Sequence, residues 1–346
     1  MSHDSVESDL PDSQGIARLI AAAGIHDDRD LVTRMVETAI GLGVDAPGRL
    51  DLKISTAALE EMRAAFRLFA PFSGVKKVTI FGSARTKQQD ALYRQTTEVA
   101  SALAAEGWMV VTGAGPGIMQ AAVEGAGPDK SIGVSIRLPF EEHPDASVQE
   151  DPNVVTMKYF FTRKLMLVKE SSGFICLPGG FGTLDEMFEL LTLQQTGKAE
   201  PVPIVLLDAP GGTHWKGLAR FVDEQLVPSG VIAPDDFERV LITDSVDAAA
   251  AEITGFWRNY DSLRWVGDLL VLRLRHEPTD DELSSLNERF GDFAVDGAIR
   301  RVEPLRAERQ DDDKVLLPRL ALRLEPHHVG DLFRLIGAVN ALPSAV

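Results

Sequence analysis

A chain of 346 residues, 45% hydrophobic and 25% charged, has ample length for one large core and a smaller module beside it. Its net charge of −17, from 35 basic against 52 acidic residues with no lysine- or arginine-rich run, argues against DNA or another long polyanion as a partner. A single cysteine, Cys176, excludes intramolecular disulfides and fits a reducing cytoplasm, and no apolar run reaches the roughly 18 residues of a membrane span.

The chain opens with MSHDSVESDLPDSQG, an acidic, polar stretch without an apolar signal core, which predicts a disordered tail to about residue 13 and a cytoplasmic protein. Three helical patterns come next, near Gly15–Ala23, Asp30–Leu42 and Thr56–Phe69, the second with Leu31, Val32, Met35, Val36, Ala39 and Ile40 at helical spacing. Residues 1–70 thus read as a tail and a helical prelude, most simply packed on the main domain and without chemistry of its own.

Residues 71–260 alternate strands and helices. Strands are predicted at Lys77–Phe81, Trp108–Thr112, Ser131–Leu138, Gly173–Leu177, Val202–Leu207 and Arg239–Thr243, with helices at Asp90–Glu106, Ile118–Glu124, Lys158–Lys169, from about Leu184, near Trp215–Leu226 and at Val246–Trp257. This alternation argues for an α/β fold with a doubly wound parallel sheet, whose ligands bind outside the carboxyl ends of the strands where strand order reverses. Three turns follow strands and should crowd that edge: Gly82-Ser83-Ala84-Arg85, Gly113-Ala114-Gly115-Pro116-Gly117, and Pro178-Gly179-Gly180-Phe181-Gly182-Thr183.

The third turn leads into a helix, so its backbone N–H groups and the positive end of the macrodipole make an anion site, and its glycines let a ligand approach the backbone. Glu186 lies one helical turn beyond Thr183 on the same face, which sets a carboxylate beside that site. The preceding helix carries Arg163-Lys164, a pair that reads either as a solvated face or as part of the site that this helix feeds. The turn at Gly113 invites a dinucleotide reading, but its spacing is G-x-G-x-G, and about 20 residues on, where a carboxylate should hold a ribose hydroxyl, stands Gly133. Cys176, in an apolar strand, reads as a small buried hydrophobe.

PGGFGTLDE resembles the PGGxGTxxE signature of the Lonely Guy family, often misannotated as lysine decarboxylases, and FFTRKLM resembles the arginine-lysine helix that accompanies it. GSAR, GAGPGIM and SIRLPFE are similar to the first loop, glycine turn and third strand of longer bacterial members, some of which have GGG where this chain has Gly113-Ala114-Gly115. The match covers roughly Val78 to Thr254. It implies a Rossmann-like domain that splits a nucleoside 5′-monophosphate into free base and ribose 5-phosphate. Arg163 and Glu186 are then the catalytic pair, and Gly179, Gly180, Gly182 and Thr183 the phosphate cradle. With the other turns at the same edge, the substrate-binding set extends to Gly82, Ser83, Arg85, Gly113, Gly115, Gly117 and Lys164; Arg85 either reaches the phosphate or caps the sheet edge. The resemblance also implies a homodimer built partly by the Arg163 helix; the reaction needs no cofactor or metal, and none of the acidic or histidine spacings demands one.

In such a reaction a carboxylate near C1′ stabilises the positive charge of the transition state and orients the attacking water, a role for Glu186. Arg163, with its high pKa, is a poor proton donor and acts by charge and position. Asp185 and Glu189 read as solvent or core-edge residues. A decarboxylase would need a Schiff-base lysine for pyridoxal phosphate, and Lys164 beside Arg163 is an unconvincing candidate. A carrier that binds nucleotide without hydrolysis is the remaining alternative, and the intact Arg163 and Glu186 favour the enzyme.

Residues 261–346 change pattern. Leu269–Leu274, Ala298–Ala307 and Arg319–Leu324 are predicted strands, Arg309–Lys314 a polar turn, and Asp280–Phe290 and Val329–Val339 helices, the first capped by Thr279. This βαββα order predicts a small α+β module with one wet and one buried sheet face, serving packing, dimerisation or regulation. Adjacent His327 and His328 resemble a metal site only superficially, because neighbours on a helix point about 100° apart.

Overall fold

The computed structural model describes residues 13–138, 151–233, 236–237, 239–324 and 329–345. The His327-His328 pair and the Pro139-Phe140-Glu141 end of the SIRLPFE stretch lie outside them. The chain divides into two compact units, Met1–Ala64 and Ala65–Val346. No helix among the described residues is long and apolar enough to cross a membrane.

The first unit holds α1 (Ser13–Ala22), α2 (Arg29–Val44) and the start of α3 (Arg49–Phe69). α1 buries Ile16 and Ile20, whereas no residue of α2 is buried. α3 begins seven residues before the expected Thr56: Leu50, Leu52 and Ile54 alternate like a strand, but Asp51 suits the positive end of a helix and its N–H bonds the Gly48 carbonyl at 3.0 Å.

The second unit is built on a seven-stranded parallel sheet: β1 (Lys77–Phe81), β2 (Met109–Thr112), β3 (Ser131–Ile136), β4 (Val154–Met157), β5 (Gly173–Cys176), β6 (Ile204–Leu207) and β7 (Val240–Thr243). Their order is β4-β3-β2-β1-β5-β6-β7. The intervening helices are α4 (Ala91–Ala105), α5 (Ile118–Ala126), α6 (Phe160–Lys169), α7 (Phe181–Gln195), α8 (His214–Phe221) and α9 (Val246–Gly255). β1, β2, β5 and β6 are buried along their whole length, as strands covered on both faces must be. The order turns back at β1, with β2 on one side and β5 on the other, and this places the ligand crevice at their carboxyl ends.

Within the parallel-sheet region two local features differ from the sequence-based expectation. The strand β4 has no counterpart among the predicted elements: an edge strand of four residues, buried only at Val155 and Met157, gives little periodic signal. α7 starts at Phe181 rather than near Leu184, because Gly180 takes the N-cap and its carbonyl accepts the Leu184 N–H at 3.1 Å.

The carboxyl-terminal module is a four-stranded antiparallel sheet of order β10-β11-β9-β8, with β8 (Tyr260–Val266), β9 (Leu269–Leu274), β10 (Arg300–Arg301) and β11 (Arg319–Leu322). Its helices are α10 (Asp280–Phe290), α11 (Arg306–Gln310) and α12 (Val329–Asn340), and Thr279 caps α10 with a full capping box. The expected βαββα order gains a strand at its start, β8, which pairs antiparallel with β9; the predicted strand Ala298–Ala307 shrinks to two residues, and the predicted polar turn at Arg309–Lys314 is partly α11, because Glu308 turns inward. Its carboxylate is 0% exposed, accepts the Leu305 N–H at 2.9 Å, and pairs with Arg273 at 2.9 Å and Arg319 at 2.8 Å. Both arginines are buried, so they do not line a wet sheet face as expected. The hydrophobic core runs without a break from Val78 and Ile175 through Trp257 and Tyr260 to Leu272 and Ile336.

Breaking a buried ion cluster from one side strands the remaining charges. Glu308→Ala should therefore lower the unfolding free energy in urea by roughly 3–5 kcal/mol, whereas Arg323→Ala, which opens the exposed Arg323–Asp268 pair, should cost under about 1 kcal/mol. Burial alone would raise the Glu308 pKa, but the Leu305 N–H and the two arginines hold it below the ordinary value. Its stabilisation is present above the unfolded pKa of about 4.3 and is lost as pH falls through the lower folded value.

Candidate active site

The turns after β1, β2 and β5 meet at one edge. The Leu177 N–H donates to the Phe81 carbonyl at 2.8 Å and the Ile118 N–H to the Ser83 carbonyl at 3.1 Å. Gly117 has φ +69°, and a Cβ there would lie 2.4 Å from the Ser83 carbonyl oxygen, so the close approach of the first two turns requires glycine. A Cβ on Gly82 would lie 2.6 Å from Ile118, and one on Gly115 2.6 Å from the Met119 methyl. The Ser83 hydroxyl accepts the Arg85 N–H at 3.1 Å. The Arg85 side chain is exposed and makes no hydrogen bond or ion pair among the described residues.

Arg163 reaches across this edge from α6. Its Nε donates to the Val134 carbonyl at 2.9 Å and its Nη2 to the Gly113 carbonyl at 3.3 Å. A Cβ on Gly113 would sit 2.0 Å from that Nη2, so the guanidinium occupies space that a side chain would fill. Ala114 adopts φ +53° and is held by its N–H donating to Thr112 Oγ1 at 3.1 Å. An added Cβ on Gly133 would approach Ala114 Cβ and Val154 at 2.9 Å each. Gly133 thus stands where a dinucleotide fold would carry its acid because this strand must pass close to the second turn.

The third turn lies at the head of α7, with Phe181, Gly182 and Thr183 in the first helical turn, where N–H groups have no intrahelical acceptor. Nothing lies within 4 Å of a Cβ built on Gly180 or Gly182, and Phe181 is 93% exposed. Gly179 differs: a Cβ there would lie 2.2 Å from Thr183 Oγ1, so it packs against the turn's own threonine. Thr183 and Glu186 are both buried, the latter 5% exposed. Lys164 pairs with Asp185 at 3.0 Å and with Glu189 at 2.5 Å. Both flanking carboxylates expected to be bystanders therefore hold the lysine beside Arg163.

Burial pushes the Glu186 carboxyl up to about 7, against the pull of Arg163 and Lys164. One of its oxygens, Oε2, is buried without a hydrogen-bond partner among the described residues. Burial likewise lowers the Arg163 pKa, while Glu186 opposes the fall. The two charges sense each other without a direct ion pair among the described residues. Burial would lower the Lys164 pKa, but its bonds to Glu189 and Asp185 raise it, so the ammonium stays charged. Burial drives the Cys176 thiol far up, so it is inert. A carboxylate poised near neutrality, a fixed guanidinium and a helix N-terminus can together bind an anion and activate water next to it. No group of three His, Cys, Asp or Glu residues suited to a metal occurs among the described residues.

The structure therefore brings Arg163, Glu186, Thr183 and the glycines of all three turns to one edge and ties Lys164 to α7. Sequence reasoning missed Val134 and Thr112, which act through a backbone carbonyl and a local turn bond, and the left-handed Ala114.

A family model described as "Possible lysine decarboxylase" matches residues 117–253. Over 163 residues the chain is 32% identical to a cytokinin riboside 5′-monophosphate phosphoribohydrolase from Mycobacterium tuberculosis, covering 46% of this chain and 83% of that protein. A Mycobacterium marinum protein of the same name is 30% identical over 154 residues, covering 44% and 79%. Among solved structures, the molybdenum cofactor binding protein of Rippkaea orientalis aligns with 50% of this chain and 91% of its own at 19% identity, with a TM-score of 0.35. That likeness is too remote to bear on function.

Gly113→Ala should fold but displace the Arg163 guanidinium, visible in a crystal structure of the variant. With that cation moved away, the Glu186 carboxyl should titrate above about 7 in a carbon-13 NMR titration. An unchanged guanidinium and an unchanged titration would show that Gly113 does not set the arginine's place.

Proposed function

The chain belongs to the Lonely Guy family of phosphoribohydrolases, and from that premise we propose that it hydrolyses the N-glycosidic bond of a nucleoside 5′-monophosphate to free base and ribose 5-phosphate. Its substrate is AMP or an N6-substituted, cytokinin-type adenine nucleotide. The observation that carries this reading is the buried Glu186 carboxylate, raised to about 7 and holding an unpartnered oxygen, beside an anion-binding helix start.

In this mechanism the 5′-phosphate lies on the N–H groups of Phe181, Gly182 and Thr183, where the space over Gly180 and Gly182 is free of protein atoms. Binding energy at the phosphate fixes the ribose so that C1′ faces Glu186. As the C1′–N bond breaks, its electron pair leaves with the base and positive charge builds on the ribose ring. The Glu186 carboxylate stabilises that charge, orients water toward C1′ and takes its proton. Arg163, clamped by two carbonyls, supplies N–H donors and positive charge but no proton, so the departing base is protonated through water. Gly82, Ser83, Arg85, Gly113, Gly115 and Gly117 form the rest of the substrate-binding edge, and residues 71–260 carry the chemistry. This reaction calls on no cofactor. A pyridoxal-dependent decarboxylase needs a lysine that can lose its proton, and the doubly paired Lys164 is held charged.

We assign the protein to the cytoplasm and to a homodimer. The dimer is supported by exposed apolar side chains on α6, the helix that bears Arg163: Phe160 is 57%, Phe161 56% and Leu165 45% exposed.

Incubation with a panel of nucleoside 5′-monophosphates, followed by chromatography of the free base, should show release by the wild type, with Glu186→Gln slower by about 10²–10⁴-fold. Binding without release of ribose 5-phosphate would point instead to a carrier. Phe161→Asp should shift the sedimentation coefficient from dimer to monomer, and a dimer that survives the charge would place the interface elsewhere.

A further inference from the structure

At the other edge of the parallel sheet, where the chain enters β1, β2 and β5, a cavity of about 900 Å³ lies against the carboxyl-terminal module. Trp108 and Trp257 are buried in its walls, and the Trp257 Nε1–H donates to the Ser172 carbonyl at 2.8 Å, which fixes that ring. Four cations face the cavity, Lys76, Arg258, Arg275 and Lys314, against two carboxylates, Glu106 and Asp261. One of those carboxylates is already taken, by Lys314 at 2.6 Å from Asp261. The side chains of Lys76, Arg258 and Arg275 make no hydrogen bond or ion pair among the described residues. Lys76 lies instead over the Trp257 ring, its Nζ 3.2 Å from the ring centroid.

This concentration of unpaired cations is unexpected in a chain of net charge −17, where carboxylates outnumber cations 52 to 35. A concave site with low-dielectric walls focuses such a field and draws in anions. Arginine forks at its mouth match the geometry of phosphate and carboxylate oxygens. Burial lowers the Lys76 pKa to about 8; Asp261 and Glu200 oppose the fall, while Arg275 and Lys314 add to it. An ammonium destabilised in this way recovers free energy when an anion binds next to it.

We infer that this cavity is a second ligand site, taking a small phosphate- or carboxylate-bearing anion clasped by Lys76, Arg258 and Arg275. The site is separate from the glycine turns, which lie at the opposite ends of the same strands. It nevertheless touches Ser172, in the short connection between α6, which bears Arg163, and β5, which feeds the third turn. An anion bound here rests on the link that carries both halves of the candidate active site.

The test is calorimetric titration of the full chain with pyrophosphate and, separately, with citrate. It uses a Gly180→Asp background, in which a carboxylate closes the anion site at the head of α7 and remains a good N-cap. Saturable binding of at least one probe is expected, weakened about tenfold or more by Arg275→Ser and by Lys76→Met, the loss of one charge-assisted contact each. The tighter probe identifies the anion class. Because the anion favours protonated Lys76, the affinity for citrate, whose carboxyl groups are all ionised in this range, should fall as pH rises through about 8 in the Gly180→Asp protein and stay flat in its Lys76→Met derivative. Absence of saturable binding by both probes overturns the assignment, as does binding that neither Arg275→Ser nor Lys76→Met weakens. Arg275 is exposed, so its substitution tests the site even if Lys76→Met disturbs the fold.

Discussion

The candidate site depends on how the guanidinium of Arg163 is held. It is bonded to the carbonyls of Val134 and Gly113, backbone groups of the third strand and of the turn after the second, rather than to a carboxylate. A guanidinium neutralised by an ion pair would offer little to a ligand, whereas one positioned by neutral acceptors keeps its full charge directed at the crevice. The arrangement constrains the backbone around the guanidinium as tightly as the guanidinium itself. Gly113 must lack a Cβ, Ala114 must accept a left-handed backbone, and Gly133 must let the neighbouring strand pass against it. Thr112 supports the strained position with its hydroxyl.

Opposite this cation, Glu186 is buried on the first turns of α7 and shifted toward neutrality by desolvation, the dominant of its influences. Environment sets the two groups apart: burial brings the carboxyl to about 7, and two backbone carbonyls hold the guanidinium in one place. Lys164, bound to Asp185 and Glu189, ties α6 to α7 and so fixes the distance between the helices that bear the pair. Exposed Phe181 and the free space over Gly180 and Gly182 leave the helix N-terminus accessible.

Much of this is legible in the sequence where a local pattern has one physical meaning. The parallel sheet is visible because its strands are short apolar runs between glycine turns and amphipathic helices, and PGGFGT announces a strand, a turn and a helix start. β4 is not, since a four-residue edge strand buried at alternate positions resembles loop. The carboxyl-terminal strands mislead because Arg273 and Arg319 look like solvent-facing residues until Glu308 is found between them. Backbone acceptors such as the Val134 carbonyl carry no sequence signal at all, and neither does a cavity formed where Lys76, Trp257 and Arg275 converge from distant parts of the chain.

In the proposed reaction the buried Glu186 is the carboxylate that activates water. The pH dependence of kcat/KM for a nucleoside 5′-monophosphate tests it most directly, because that profile reports groups of the free enzyme and substrate. An acidic limb is expected, with activity rising as pH passes through about 7, above the pKa of about 6 of the substrate's own phosphate, and absent from the residual activity of Glu186→Gln. A profile flat from pH 5 to pH 8, or a limb near 7 that persists in Glu186→Gln, would contradict it.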